Sequence, residues 1–416
     1  MIMKGAKGTV GILGTLDTKA VELGYLKKRC SDLGLRTLVI DLSLGETEDI
    51  SDCAADVSRQ EVLSAAGLRK EDFEGKTIGE AIRMMTIAAE KTTAHMYADG
   101  KFSGLLGIGG GRGSHLCASA MRAAPFGVPK ILVSTVAGRT SGPFVDTSDL
   151  IIVPSVSDLV GINRITRTVL SNAAAAMYGM VSARRDVTPD APLVAISALG
   201  VTTQGAMKCL ALLRAQGLEA AIFHCNGLGG RVMEKQIRDG HVSAVLDLTT
   251  TELADELLGG MGSAGEDRLE AAGRMGIPQV VVPGALDMLL FHSADRIPST
   301  YATRLRYEHT PTAILVRTSV EDNFALGRMV GGKLLRARGS VSVLIPTHGV
   351  SDYDKPGARF YLPEAVAAFE KGLREVASDK LSIESLPLHI NDDDFARRAV
   401  SVLIELINAA HVGRSL

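Results

Sequence analysis

The residues best suited to chemistry lie in one run, Gly107-Ile108-Gly109-Gly110-Gly111-Arg112-Gly113-Ser114. It follows the apolar stretch Ser103-Gly104-Leu105-Leu106 and precedes a helix predicted from His115 to Arg122. Strand, glycine loop and helix is the arrangement that binds phosphate. Glycines let the backbone approach an anion, and the free N–H groups of the helix start point at it. The run is neither G-x-x-x-x-G-K-[ST] nor a clean G-x-G-x-x-G, so it specifies an anion better than any particular nucleotide. Gly109, Gly110, Gly111 and Gly113 would supply N–H groups and space. Ser114 either gives its hydroxyl to the anion or caps the helix.

Other candidates sit at predicted strand ends. Thr15, Leu16 and Asp17 occupy the first strand-to-helix turn, where backbone and hydroxyl groups could meet a ligand; Asp17 is equally placed as a helix cap. Asp41 ends the second strand, where a carboxylate accepts ribose hydroxyls or stands in water. In the second half His224 ends a strand just before Gly227-Leu228-Gly229-Gly230, a place for an acid, a base or a ligand contact, or for a structural histidine. Asp247, Glu252, Asp255 and Asp287 could assemble a catalytic carboxylate site, or serve as caps and macrodipole partners. His292, His309 and His348 have no metal-ligand spacing, and no metal site is expected. A Gly-x-Ser-x-Gly elbow, His-Glu-x-x-His and the protein-kinase signatures are absent.

The elements that would position these groups alternate between strand and helix. Thr9–Leu13 reads as a buried strand, Asp17–Leu33 as a helix stopped at Gly34, and Arg36–Ile40 as the next strand. Ile78, Ala81, Ile82, Met85, Ala88 and Ala89 keep helical spacing and form one apolar face. Strand Lys130–Thr135, strand Leu150–Val153 and helix Ile162–Met180 follow. The polar, proline-bearing segment Arg184–Asp190 marks a boundary between domains at 1–185 and 190–416. The pattern then restarts with strand Leu193–Ser197 and a helix opened by Gly200-Val201-Thr202-Thr203, parallel to Gly14-Thr15-Leu16-Asp17-Thr18. A second glycine turn, Asn226–Arg231, follows strand Ala221–His224 and resembles the first. Thr249 with Glu252, Ser263 with Glu266 and Ser319 with Asp322 fit or approach capping boxes.

Composition bounds the class. The chain has 416 residues, 46% of them hydrophobic, with 44 glycines and no Trp. That suits an α/β protein of parallel strands covered by helices, and the restarting pattern points to two similar α/β halves with a cleft between them. A formal charge of −2 gives no electrostatic reason to expect nucleic acid or an anionic membrane. There is no run of about 18 apolar residues, and Met1–Gly8 has no signal-peptide architecture. The five cysteines, Cys30, Cys53, Cys117, Cys209 and Cys225, form no Cys-x-x-Cys pair and read as core residues in a reducing cytoplasm.

Several of these segments together resemble one family. They are Gly14–Lys19, Gly107–Ser114, Pro125–Lys130 with Ser134-Thr135, Gly161–Arg164, Leu246–Asp255, Pro283–Met288, and Gly349–Ser351 with Phe360–Ala365. They resemble the bacterial relatives of the ATP-binding inhibitory domain of the tomato mosaic virus resistance protein, otherwise an uncharacterised protein family. The match covers nearly the whole chain. The resemblance implies two Rossmann-like subdomains, self-association as a homodimer or higher homo-oligomer, and ATP held by the glycine loop and neighbouring strand ends, Thr135 among them. Mg²⁺ could accompany the nucleotide through phosphates and water. The plant protein's viral partner does not carry over.

The chain departs from the family pattern at the loop, at the next strand end and at one histidine. It resembles Gly-Leu-Gly-Gly-Ser-Gly-Gly-Thr at the loop, where this chain has Arg112 for a glycine and Ser114 for Thr. At the next strand end it resembles Ser-Thr-x-Ala-Ser-Gly, where this chain has Arg139. His348 also stands where family members tend to carry Lys. Two guanidinium forks at neighbouring strand ends would bind carboxylate or phosphate, or else swing into solvent. The sequence therefore supports a nucleotide-binding protein, with ATP the expected ligand. The alternative is an enzyme acting on a small carboxylated or phosphorylated metabolite in the interdomain cleft.

Overall fold

The computed structural model describes residues 8–45, 53–138, 142–183, 191–379 and 381–414. The chain divides into two compact units, Met1–Val187 and Thr188–Leu416. The expected boundary segment, Arg184–Asp190, lies outside the described residues.

The first unit carries one parallel sheet of five strands: β1 (Thr9–Gly14), β2 (Arg36–Asp41), β3 (Gly104–Gly109), β4 (Lys130–Ser134) and β5 (Ile151–Pro154), in the order β2-β1-β3-β4-β5. β3 and β4 are buried along their whole length, as expected of central strands covered on both faces. Apolar clusters pack on each side of the sheet, one gathering Leu13, Leu105 and Leu132, the other Val10, Ile12, Leu106 and Ile131. The period-two alternation of side chains places these neighbours on opposite faces. Along helix Ile78–Ala98, Met85, Ala88 and Ala89 are buried, but Ile78 is 62% exposed. The apolar face therefore begins a turn later than its spacing predicts. The helix opens instead on a capping box between Thr77 and Glu80.

The second unit repeats this winding with six parallel strands: β6 (Leu193–Ala198), β7 (Glu219–His224), β8 (Ala244–Thr249), β9 (Gln279–Gly284), β13 (Val341–Pro346) and β14 (Ser382–Leu386), in the order β14-β13-β9-β8-β6-β7. Between β9 and β13 the chain builds a separate antiparallel sheet from β10 (Met288–Phe291), β11 (Arg306–Thr310) and β12 (Ala313–Arg317), ordered β10-β12-β11. The alternating strand–helix reading did not anticipate this insertion.

The order of strands corrects one comparison made from sequence. Gly107–Ser114 leaves β3, the third strand of its unit, whereas Asn226–Arg231 leaves β7, the second strand of its own. The counterpart of the first loop is Thr249–Thr251, after β8. The other parallel is topologically equivalent: Gly14–Leu16 and Gly200–Thr202 each leave the first strand of their unit.

Helix starts also sort themselves. Ser319 and Asp322 form a capping box, with Asp322 N–H donating to Ser319 Oγ at 3.1 Å and Ser319 N–H to Asp322 Oδ2 at 2.8 Å. Thr249 does not cap: its hydroxyl meets that of Thr202 at 2.8 Å, and its N–H donates to Ser197 Oγ at 2.8 Å. Ser263 lies in an irregular loop, bonded to Glu256 and to Gly265 N–H.

Candidate functional site

In an open parallel sheet the strand order reverses at one point, and a crevice opens there beyond the carboxyl ends of the two strands. In the first unit that point lies between β1 and β3. The turn after β1 and the glycine loop after β3 line one pocket of about 310 Å³, with Thr15, Asp17, Thr18, Lys19, Gly110–Gly113 and Asp158 among its walls.

The loop has two kinds of glycine. A Cβ on Gly109 would lie 2.4 Å from Ser114 N, so this glycine is required by the tight strand-to-helix turn itself. A Cβ on Gly111 would meet nothing within 4 Å, and the nearest side-chain atoms to Gly110 and Gly113 are threonine hydroxyls at 3.8 Å. Gly111 faces open space, and at Gly110 and Gly113 an added Cβ would make only ordinary van der Waals contacts. Helix Gly111–Arg122 begins after Gly110 with no side-chain cap and no acidic residue in its first turn. Its first hydrogen bond is Ser114 N–H to Gly110 O at 2.7 Å. The N–H groups of Gly111, Arg112 and Gly113 are thus the ones a helix leaves unpaired, at the positive end of its dipole.

Two cations border these donors. Arg112 is exposed, and its guanidinium makes no hydrogen bond or ion pair with a described residue. Lys19 breaks the helical backbone of Leu16–Asp32, at φ −132° and ψ 21°, and is half-buried at the pocket wall. Asp17 accepts Gly45 N–H at 3.1 Å and Asp158 accepts Leu159 N–H at 2.8 Å; both carboxylates belong to the same pocket. Lys19 and Asp158 escaped the sequence reading. A lysine on a helix and an aspartate in a loop carry no local signal of convergence.

Three predicted contacts serve the scaffold instead. Leu16 is 5% exposed, and its N–H donates to Asp41 Oδ1 at 3.2 Å. Asp41 is 1% exposed; the same oxygen accepts Ser43 N–H at 3.0 Å and the Ser43 hydroxyl. This carboxylate therefore clamps the turn after β1. Ser114 is fully buried inside the helix, not at its cap, and its Oγ lies 2.9 Å from Gly109 O and 2.7 Å from Ser134 Oγ. Thr135 stands half-buried beside Gly110, its N–H donating to Gly109 O at 3.2 Å. Arg139 lies outside the described residues.

The glycine turn of the second unit already holds an anion. Glu252 Oε1 accepts Gly227 N–H at 2.7 Å and Gly230 N–H at 3.1 Å, and a Cβ on Gly230 would lie 1.9 Å from Glu252 Oε2. The donors that a phosphate would use are occupied by the protein's own carboxylate.

That carboxylate belongs to a buried network around Arg268, which is fully enclosed. Arg268 grips Asp247 with both terminal nitrogens, at 2.5 and 2.6 Å, and gives Nε–H to Glu252 Oε2 at 2.7 Å. Glu234 stands 3.3 Å away and accepts Leu269 and Ala271 N–H groups at 2.6 and 2.8 Å. Burial works against the guanidinium charge, but Asp247 and Glu252 overcome it and hold Arg268 protonated; burial pushes Glu234 up. Every carboxylate oxygen of Asp247 and Glu252 thus has a donor within the protein, and neither side chain meets solvent. Asp287 is also enclosed, at 1% exposure, with Ser351 Oγ donating to Oδ2 at 2.8 Å. Burial, then the neighbouring Asp354, raise its pKa.

His224 is placed differently. It is exposed at the end of β7 and lines a pocket of about 570 Å³ together with Asp255. Burial pushes the Asp255 carboxyl up to about 7, against the hydrogen bond from Leu290 N–H at 2.9 Å. All five cysteines are free and buried, and burial raises Cys117 and Cys209 to about 12. Among the described residues no three His, Cys, Asp or Glu side chains group as metal ligands, and no helix is long and apolar enough to cross a membrane.

Comparison with known proteins places this architecture. A UPF0261 protein of Clostridium tetani is 38% identical over 400 residues, covering 95% of this chain and 98% of its own. A UPF0261 protein of Rhizobium meliloti matches to the same extent. The ToMV resistance protein Tm-1 of Solanum lycopersicum is 35% identical over 415 residues, which span 95% of this chain and 55% of the tomato protein. Among solved structures, a UDP-N-acetylglucosamine 2-epimerase from Rickettsia bellii covers 66% of this chain and 79% of its own, at 12% identity and a TM-score of 0.23. That likeness is too slight to bear on function. Residues 8–186 match the N-terminal domain of the uncharacterised protein family UPF0261 and residues 191–407 its C-terminal domain, and the chain belongs to that family.

Proposed function

We propose that the first unit binds a nucleotide, ATP being the expected one, with its phosphates on the start of helix Gly111–Arg122. The observation that carries this is the uncapped helix start opening into the crevice between β1 and β3, where Gly110, Gly111 and Gly113 leave room for an anion. Lys19 and Arg112 add the charge that polyphosphate requires. Arg112 supports the anion reading even though it replaces a glycine of the family pattern, because a guanidinium fork pairs with phosphate oxygens. Asp17 and Asp158 are hard oxygen donors in the same pocket, suited to ribose hydroxyls or to a hydrated Mg²⁺ bridging the phosphates.

Calorimetric titration tests the reading. ATP should bind the full chain, and Arg112→Ala and Lys19→Ala should each weaken it roughly tenfold, the loss expected for one charge-assisted contact. Unchanged affinity in both variants, or no ATP binding to the wild type, would contradict it.

A further inference from the structure

The second unit has its own crevice where the strand order reverses, between β6 and β8, and its chemistry is unlike the first. The pocket of about 570 Å³ sits beyond the ends of β6, β7 and β8 and is walled on its other side by the inserted antiparallel sheet. Much of its lining is itself buried: Val201 is 8% exposed, Met288 2% and Leu315 6%. No lysine or arginine is among its lining residues, whereas the first pocket has both.

We propose that this pocket is a second small-molecule site, taking an uncharged compound whose apolar body packs on Leu290 and Leu315 and whose hydroxyl or carbonyl group meets Asp255 and His224. Pockets of this size with mostly apolar walls and a few convergent polar groups are the usual form of small-ligand sites. Asp255 is held in place from two directions. Leu290 N–H on β10 donates to its Oδ1, and Gly260 and Gly262 pack so closely that a Cβ on either would lie 1.6 or 2.5 Å from a carboxyl oxygen. The group thus joins the inserted sheet to the parallel core while lining the cavity. On the far wall His309 Nδ1 and Tyr353 Oη share a hydrogen bond of 3.0 Å, which fixes a second polar pair at the mouth.

The charges argue for a neutral ligand. An anion would find no lysine or arginine in the lining to pair with. A cation would meet Asp255, whose carboxyl burial pushes up to about 7, and Asp352, whose Oδ1 already accepts from Asn391 at 3.2 Å and from Lys355 at 3.4 Å. Placing an unpaired charge in such a site is costly, while a hydroxyl or carbonyl that finds a partner is not.

Three matched probes decide it: 4-fluorobenzyl alcohol, 4-fluorobenzoate and 4-fluorobenzylammonium, followed by ¹⁹F NMR line broadening on the full chain. The alcohol should bind at least about tenfold more tightly than either ion. Ala313→Trp and, separately, Leu290→Phe fill the cavity and should abolish alcohol binding, while Arg112→Ala in the first unit should leave it unchanged. The chain has no Trp, so a blue-shifted emission from Ala313→Trp that moves to the red in urea reports that the variant is folded. No binding of the alcohol, equal or tighter binding of either ion, or undiminished binding in both cavity-filling variants would overturn the proposal.

Discussion

Arg268 holds three buried carboxylates of the second unit together. Its partners Glu252, Asp247 and Glu234 lie 16, 21 and 34 positions away in sequence. That spacing explains why sequence reading could propose Asp247 and Glu252 as catalytic groups and miss the cation that occupies both. A carboxylate at a strand end has the same local signature whether it faces a substrate or a guanidinium from a distant loop. Arg268→Met keeps the length but leaves the carboxylates unpaired, and should cost about 3–5 kcal/mol in urea unfolding; a loss within error of zero would contradict the network's role. Asp255 makes a second residue-scale prediction. Its pKa rises on folding from 3.8 to about 7, so the folded state binds that proton more tightly than the unfolded. The associated stability is whole at acid pH and is lost as pH climbs through the folded value. Asp255→Asn cannot ionise, so its thermal midpoint should gain on the wild type between about pH 4 and about pH 7. A pH-independent difference would show that Asp255 does not titrate there.

At the scale of elements, two glycine turns with similar spelling have opposite uses. Gly227 and Gly230 wrap an internal carboxylate, while Gly111 faces open space and an added Cβ at Gly110 or Gly113 would make only ordinary van der Waals contacts. Sequence alone could not separate them, because the difference lies in what stands opposite the turn. Substitution separates them. Gly230→Ala puts a methyl 1.9 Å from Glu252 Oε2 and should lower the unfolding midpoint sharply. Gly111→Ala enters free space at the first helical position and should leave stability unchanged or slightly raised, by less than about 1 kcal/mol, while impairing nucleotide binding. Equal destabilisation by both would refute the distinction. The strand–helix alternation was legible because central parallel strands such as β3 and β4 are continuous apolar runs. The inserted sheet was not. β11 reads Arg-Tyr-Glu-His-Thr, nearly all exposed at a sheet edge, and gives no apolar period to find.

At the scale of the whole chain, the same winding is used in each unit, and each unit opens a pocket where its strand order reverses. Family membership and the parallel α/β architecture were readable because both rest on long contiguous motifs and on hydrophobic runs. The site was readable only in part. The glycine loop and the turn after β1 converge as expected, but Asp41, Leu16 and Ser114 face inward because a sharp strand-to-helix turn needs internal acceptors as much as a ligand does. The central claim is that phosphates bind the helix start at Gly111–Gly113. Hydrogen exchange of the full chain with and without ATP tests it most directly, since those amides are the donors in question. Slowed exchange in residues 14–20 and 109–116, reached only at roughly tenfold more ATP in Arg112→Ala, is the predicted result. Protection confined to residues 224–230 or 249–255, or none anywhere, would contradict the account.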